Sequence, residues 1–218
     1  MNEWIEQLKG RFLVFDGPDG SGKTTQFRRF AAWLTEQGCD VVEVREPGGT
    51  SIGEQVRSIL LDSANTEMTI CCEMLLYMAS RNQLVEEVIS PALERGAVVL
   101  ADRFISSTLA YQGTAGGLDR ARIMDIGRMV IGSHWPDCTL VFDVDSSTAA
   151  RRRGGDTDRM EEKGQAFQDQ VRTGYLEQVR EDPGRTLLID ASPDEDTVFA
   201  ELCTAIEAFT SSNATSTG

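Results

Sequence analysis

The sequence predicts an α/β protein: a five-stranded parallel sheet with helices on both faces. Three observations lead there. Short apolar runs rich in β-branched residues alternate with segments of helical period along the chain. The runs VVEV, AVVL and TLVFDV are nearly continuous in apolar character, as strands covered on both sides require. A glycine-rich turn joins the first such run to the first long helical segment, and repeated strand–helix alternation implies right-handed crossovers.

Each element follows in order. Arg11–Asp16 (RFLVFD) reads as a buried strand. Lys23–Gln37 carries Phe27, Phe30, Ala31 and Leu34 on one helical face, and Gly38 is a fitting stop. Val41–Val44 is the second strand. Ile52–Leu61 repeats the helical spacing through Ile52, Val56, Ile59 and Leu60. Residues 70–94 form a long helical region, disturbed near Pro91. Ala97–Ala101 is the third strand, Leu118–Ile131 a helix, and Cys138–Val144 the fourth strand. Helices near Ser146–Arg152 and Gln165–Arg180 flank a charged, glycine-containing break. Thr186–Ile189 is the fifth strand and Asp194–Phe209 the last helix. No repeat or linker interrupts the pattern, so residues 1–210 read as one domain and 211–218 (SSNATSTG) as a disordered tail.

Composition narrows the setting. No apolar run is long enough to span a bilayer, and the N-terminus lacks the apolar core of a signal peptide. The five cysteines, Cys39, Cys71, Cys72, Cys138 and Cys203, are odd in number and form no CxxC pair. They read as reduced thiols in a cytoplasm, and as small core residues. The net charge of −14 argues against nucleic acid and anionic membrane as partners. Any nucleotide site must then be locally basic. The lysines are only Lys9, Lys23 and Lys163 among 21 basic residues, and one of them lies in the glycine-rich turn.

That turn is Gly17-Pro18-Asp19-Gly20-Ser21-Gly22-Lys23-Thr24, followed by Thr25. It fits the phosphate-binding pattern G-x-x-x-x-G-K-[ST]. Glycines let the backbone wrap a phosphate closely, and the N–H groups at the start of the next helix face it. Lys23 is placed for the β/γ-phosphates and the Thr24 hydroxyl for Mg²⁺. The strand before it and the amphipathic helix after it are the context this motif needs. The chain has no NKxD-type guanine-reading segment.

In a parallel sheet, segments that follow the strand C-termini converge on one edge. Arg45-Glu46-Pro47-Gly48-Gly49-Thr50 follows the second strand, and Asp102-Arg103-Phe104 the third. Both arginines then lie beside the phosphate loop, as a second phosphate group would require. Tyr77 and Arg81 are four apart and share a helix face, an aromatic plane beside a donor fork. Taken singly, the arginines also suit surface ion pairs, Tyr77 a core position and Asp102 a turn.

The motifs FDGPDGSGKTTQ, REPGGT with GEQVRSILL, and DRFISSTLAYQG together resemble the thymidylate kinase family, from Arg11 to about Phe209. The resemblance implies a P-loop nucleoside monophosphate kinase fold with a lid, and transfer of phosphate from ATP to dTMP with Mg²⁺. It implies that Asp19 contacts the sugar 3′-hydroxyl and that Arg45 and Arg103 hold the acceptor phosphate. Tyr77 then stacks on thymine and Arg81 bonds a base carbonyl. Tyr111 crowds the 2′ position, with Ser107, Thr108 and Gln112 nearby. Pro47 follows a cis peptide bond in that family, and a homodimer is implied. At the end of the third strand Asp102 suits Mg²⁺ or its waters.

Arg151-Arg152-Arg153-Gly154-Gly155-Asp156-Thr157-Asp158-Arg159 resembles the lid, spanning about 151–163. The phosphate loop has no arginine, as in the common bacterial kind, whose lid supplies the catalytic guanidinium. Consecutive helical residues point about 100° apart, so Arg151 to Arg153 do not all face one site. Arg153 and Arg159 are the leading candidates, then Arg152. Asp158 and Glu161 match acidic positions near the nucleoside. Two alternatives stay open: a kinase for another deoxynucleoside monophosphate, and a non-catalytic nucleotide-binding regulator.

Overall fold

A computed structural model describes residues 3–152 and 164–214. The five strands are β1 (Phe12–Asp16), β2 (Val41–Arg45), β3 (Val98–Asp102), β4 (Cys138–Asp143) and β5 (Thr186–Asp190). They form one parallel sheet in the order β2-β3-β1-β4-β5. The helices are α1 (Glu3–Glu6), α2 (Lys23–Glu36), α3 (Ser51–Leu61), α4 (Ile70–Leu84), α5 (Ser90–Glu94), α6 (Ile105–Thr108), α7 (Arg120–Ile131), α8 (Ser146–Arg152), α9 (Gln165–Glu181) and α10 (Glu195–Ala214).

Alternation along β1 divides the core. Leu13 and Phe15 face one side, with Phe27, Phe30 and Leu34 of α2 and Leu202 and Ile206 of α10. Phe12 and Val14 face the other, with Met74 and Met78 of α4 and Ile123 of α7. Phe15 stacks on Phe142 of β4 at 5.6 Å between ring centroids. Truncating such a buried ring costs about 3–5 kcal/mol. The register sets Phe15 and Arg45 both opposite Asp102, so the C-terminal ends of β1, β2 and β3 lie side by side.

Two expectations are corrected, one is met and one element is new. The long helix is disturbed near Pro91, as expected: a π-helical turn, Val85–Ile89, immediately precedes it and shifts the hydrogen-bond ladder. Pro91 then falls in the first turn of α5, where its missing N–H is tolerated. A second π turn, Leu109–Ala115, extends α6 and went unread because it breaks the 3.6 period. The last helix runs to Ala214, so residues 211–214 are helical and not tail, while 215–218 lie outside the described residues. Cys39 and Cys138 are buried, but Cys71 and Cys72 are exposed in the first turn of α4. There the amide of Cys72 is capped by the Thr69 hydroxyl at 3.3 Å. No helix among the described residues is long and apolar enough to cross a membrane.

Candidate active site

Local backbone chemistry shapes the phosphate loop. Gly17 has φ 137°, and a Cβ there would stand 2.4 Å from the carbonyl oxygen of Phe142, so only glycine lets the loop leave β1 alongside β4. Gly22, at φ 82°, precedes Lys23, the first residue of α2. The loop lines a cavity of about 500 Å³ with Thr25, Arg152, Ala191 and Pro193. A second cavity, of about 330 Å³, opens beside it among Asp19, Arg45, Tyr77, Arg81 and Arg103. Lys23 and Thr24 line both.

Arg103 is the only non-glycine residue at positive φ among the described residues, at 71°. Such backbone costs about 1–3 kcal/mol and persists only when its surroundings hold it. Here its amide donates to Phe15 O at 3.0 Å. Its guanidinium donates to Asp19 Oδ1, to Ser107 Oγ at 3.1 Å and to the Tyr175 hydroxyl at 3.3 Å. Behind it Asp16, fully buried at the end of β1, accepts from Gly17 N at 2.9 Å and Ser106 Oγ at 2.5 Å. It also accepts from Ser107 Oγ at 2.7 Å and the Tyr175 hydroxyl at 2.6 Å.

Asp19 sits between cations. Burial pushes its carboxyl up, but Arg103 and then Lys23 outweigh burial and hold it well below the usual carboxylate range. Its second oxygen accepts from the Tyr111 hydroxyl at 2.8 Å. Burial raises the Tyr111 phenol well above its ordinary value, so it stays a neutral donor at physiological pH.

Arg81 is buried on α4, with its Nε 2.9 Å from Glu46 Oε2 and its Nη2 2.5 Å from the same oxygen. Its Nη2 also donates to Thr108 Oγ1 at 3.0 Å. Burial raises the Glu46 carboxyl above its ordinary range, against the pull of Arg81. The Glu46–Pro47 bond is cis. Arg45 is exposed and donates to Glu54 at 3.1 Å, and Glu54 also accepts from Gly49 N at 2.8 Å. The Gly49 amide, ahead of Arg45, holds the Glu54 carboxyl below its usual range. Thr24 Oγ1 donates to Asp102 Oδ2 at 3.1 Å, bringing two hard oxygen groups together beside the phosphate loop.

The expected acceptor-side residues that the structure describes, Asp19, Arg45, Pro47, Tyr77, Arg81, Asp102, Arg103, Ser107, Thr108, Tyr111 and Gln112, all line the 330 Å³ cavity. Arg152 is elsewhere. Its guanidinium donates to the carbonyls of Ala191 at 2.8 Å and Ser192 at 3.3 Å, on the far side of the phosphate loop. In this arrangement those carbonyls occupy its donors, and it does not line the cavity of Arg103. Arg153, Asp158, Arg159 and Glu161 lie outside the described residues.

The family model for thymidylate kinase matches residues 15–202. The chain belongs to the thymidylate kinase family. A thymidylate kinase of Symbiobacterium thermophilum is 43% identical over 197 residues, covering 90% of this chain and 92% of the relative. One of Desulforudis audaxviator is 46% identical over 186 residues, covering 84% of each chain. The crystal structure of thymidylate kinase from Ehrlichia chaffeensis superposes with a TM-score of 0.74 at 34% identity, covering 90% of this chain and 98% of that one. The fold is that of a P-loop nucleoside monophosphate kinase, and the family's enzymes phosphorylate dTMP from a nucleotide donor.

Sequence reasoning missed the residues that hold the family's motif side chains in place. Glu54 orients Arg45 and Glu46 orients Arg81. Asp16 and Tyr175, 159 positions apart, support Arg103. The one signal the sequence carries is the carboxylate that ends β1 next to a glycine, Asp16-Gly17.

Proposed function

We propose that this thymidylate kinase transfers the γ-phosphate of ATP to dTMP with Mg²⁺ at the junction of the two cavities. The observation that carries the reading is that Lys23 and Thr24 line both. Donor phosphates in the 500 Å³ cavity and an acceptor phosphate in the other would meet at those two side chains. Arg103 and Arg45 are the acceptor-phosphate residues in this reading, Tyr77 and Arg81 the base residues, and Tyr111 with Asp19 the sugar residues. Gly17 to Thr25 hold the donor phosphates. Arg152 serves the donor side, since it lines the phosphate-loop cavity and holds the 191–192 carbonyls. The lid charges fall to Arg153 and Arg159, with Asp158 and Glu161 near the nucleoside.

The residues present fit Mg²⁺. Thr24 and Asp102 offer a hydroxyl and a carboxylate at 3.1 Å, a hard-oxygen set. Ser21 Oγ is buried in the phosphate loop with no hydrogen-bond partner among the described residues, as in a loop that keeps donors for a ligand. The ion when bound neutralises charge between donor and acceptor oxygens. Catalysis by this chain is positioning and charge neutralisation: Lys23 and Arg103 orient the two phosphates, and no covalent intermediate is required.

Residues 1–210 act as one kinase domain in this proposal, in the cytoplasm, where the five free thiols would stay reduced. A second copy of the chain covers the outer face of α3 and α4. Ile52 and Ile59 of α3 and Leu75 of α4 are exposed at 50%, 46% and 49%, and α4 also carries the exposed Cys71 and Cys72. The activity is tested by measuring dTDP formation from dTMP with ATP, with and without a Mg²⁺ chelator. Turnover that survives chelation contradicts the metal role, and turnover with GTP but not ATP contradicts the donor.

A further inference from the structure

Glu73, Tyr77 and Arg81 recur every four residues along one side of α4. Tyr77 and Arg81 line the acceptor cavity, and so does Gln112, from the π turn Leu109–Ala115. Glu73 is 1% exposed and Gln112 2% exposed. The Gln112 Nε2 donates to Glu73 Oε1 at 2.8 Å. A carboxylate only accepts, so Glu73 dictates which end of the carboxamide faces it: the NH₂ end. The Gln112 carbonyl oxygen is then the group the side chain offers on its other side. The Gln112 backbone is fixed as well, its carbonyl accepting from Leu118 N at 3.0 Å.

We propose that Glu73 is a specificity-determining positioning residue. By holding the Gln112 amide with its oxygen toward the cavity, it makes the site accept a pyrimidine with an N3–H and reject one with a bare N3. This rests on the reading that the 330 Å³ cavity holds the base of dTMP. Thymine presents N3–H, a donor, which pairs with the Gln112 oxygen. Cytosine presents a lone pair at N3, and two acceptors would face each other in a buried site. Such a site rejects a mismatched partner because its own polar group is left unpaired. Glu73 touches no substrate in this account; it acts through Gln112.

The test uses E73Q in the full chain. A glutamine at 73 both donates and accepts, so the Gln112 amide is free to turn and offer NH₂ to N3. The probe pair is dTMP and 5-methyl-dCMP, which carry the same 5-methyl group and differ only at N3 and C4. Steady-state kcat/KM is measured for both, with thermal midpoints as a folding check. The expected result is a fall of at least about tenfold in the dTMP to 5-methyl-dCMP ratio, the scale of one hydrogen bond turned to a mismatch. The swap E73Q/Q112E again leaves only acceptors toward the cavity and should return the ratio to its wild-type value. A role in stability alone would lower both rates alike, and a ratio unmoved in E73Q overturns the proposal. Should E73Q not fold, the swap decides: a ratio near wild type is expected, and a collapsed one overturns the assignment. Wild-type protein that does not turn over dTMP at all would instead sink the reading of the cavity.

Discussion

Removing one oxygen atom, by Tyr175→Phe, tests whether the buried network behind Arg103 serves the reaction. The ring of Tyr175 is fully buried and would keep its packing against Val141 and Val171. Lost are the 2.6 Å hydrogen bond to Asp16, the 2.9 Å one with Ser107 Oγ and the 3.3 Å contact from Arg103. A hydrogen bond to a charged group is worth about 1.5–3 kcal/mol. Asp16 keeps its bonds from Gly17, Ser106 and Ser107, so the lower end applies, about 1.5 kcal/mol. For a chain of this size that lowers Tm by roughly 3–6 °C. The kinetic effect is separate. With less to hold it, the guanidinium of Arg103 would misorient the acceptor phosphate, a route on which small displacements cost up to about 10²-fold. The expected outcome in a coupled ADP-release assay is about a tenfold loss in kcat/KM for dTMP, with KM for ATP unchanged. A variant with lowered Tm but wild-type dTMP kinetics would show that the hydroxyl only stabilises the fold.

Three further outcomes follow from the same geometry. Asp19 has a carboxyl held below its ordinary value of 3.8, so its contribution to stability is present above that pH and lost as pH falls through the acid range. The Tm gap between wild type and Asp19→Asn should be full from neutrality down to about pH 4 and narrow progressively below it; a gap constant from pH 7 to 3 would contradict the ion pairing. Tyr111→Ala should lower the preference for dTMP over ribothymidylate by about tenfold, the effect of one lost wall in a pocket, while Tyr111→Phe keeps most of it. An alanine variant as selective as wild type removes Tyr111 as the gate. Asp102→Asn should raise the Mg²⁺ concentration for half-maximal rate by roughly 10–100-fold, and an unchanged Mg²⁺ dependence would place the metal elsewhere.

The sheet was legible because each strand is a short apolar run that needs cover on both faces, and because the glycine-rich loop has one structural use. Arg45 and Arg103 could be placed from the strand–helix alternation alone, since parallel strands deliver their C-termini to one edge. The supports of those side chains were not legible. Tyr175 meets Asp16 across 159 residues, and Gln112 meets Glu73 across 39, spacings no local period encodes. The two π turns hid for another reason: each displaces the helical register by one residue, so an apolar pattern read at 3.6 loses its face there. Cys71 and Cys72 misled because burial is the usual fate of a free thiol, whereas these begin the helix whose outer face the proposed second copy would cover.

The central claim is that this geometry phosphorylates dTMP in preference to other monophosphates. Its most direct test is the rate of ADP release with ATP and Mg²⁺ across dTMP, dUMP, dCMP, dAMP and dGMP, with the diphosphate product identified by ³¹P NMR. The account predicts that dTMP gives the highest kcat/KM and dTDP as product, and that Lys23→Ala abolishes it. A higher kcat/KM for any other monophosphate, or ATP hydrolysis without a diphosphate product from dTMP, would contradict it.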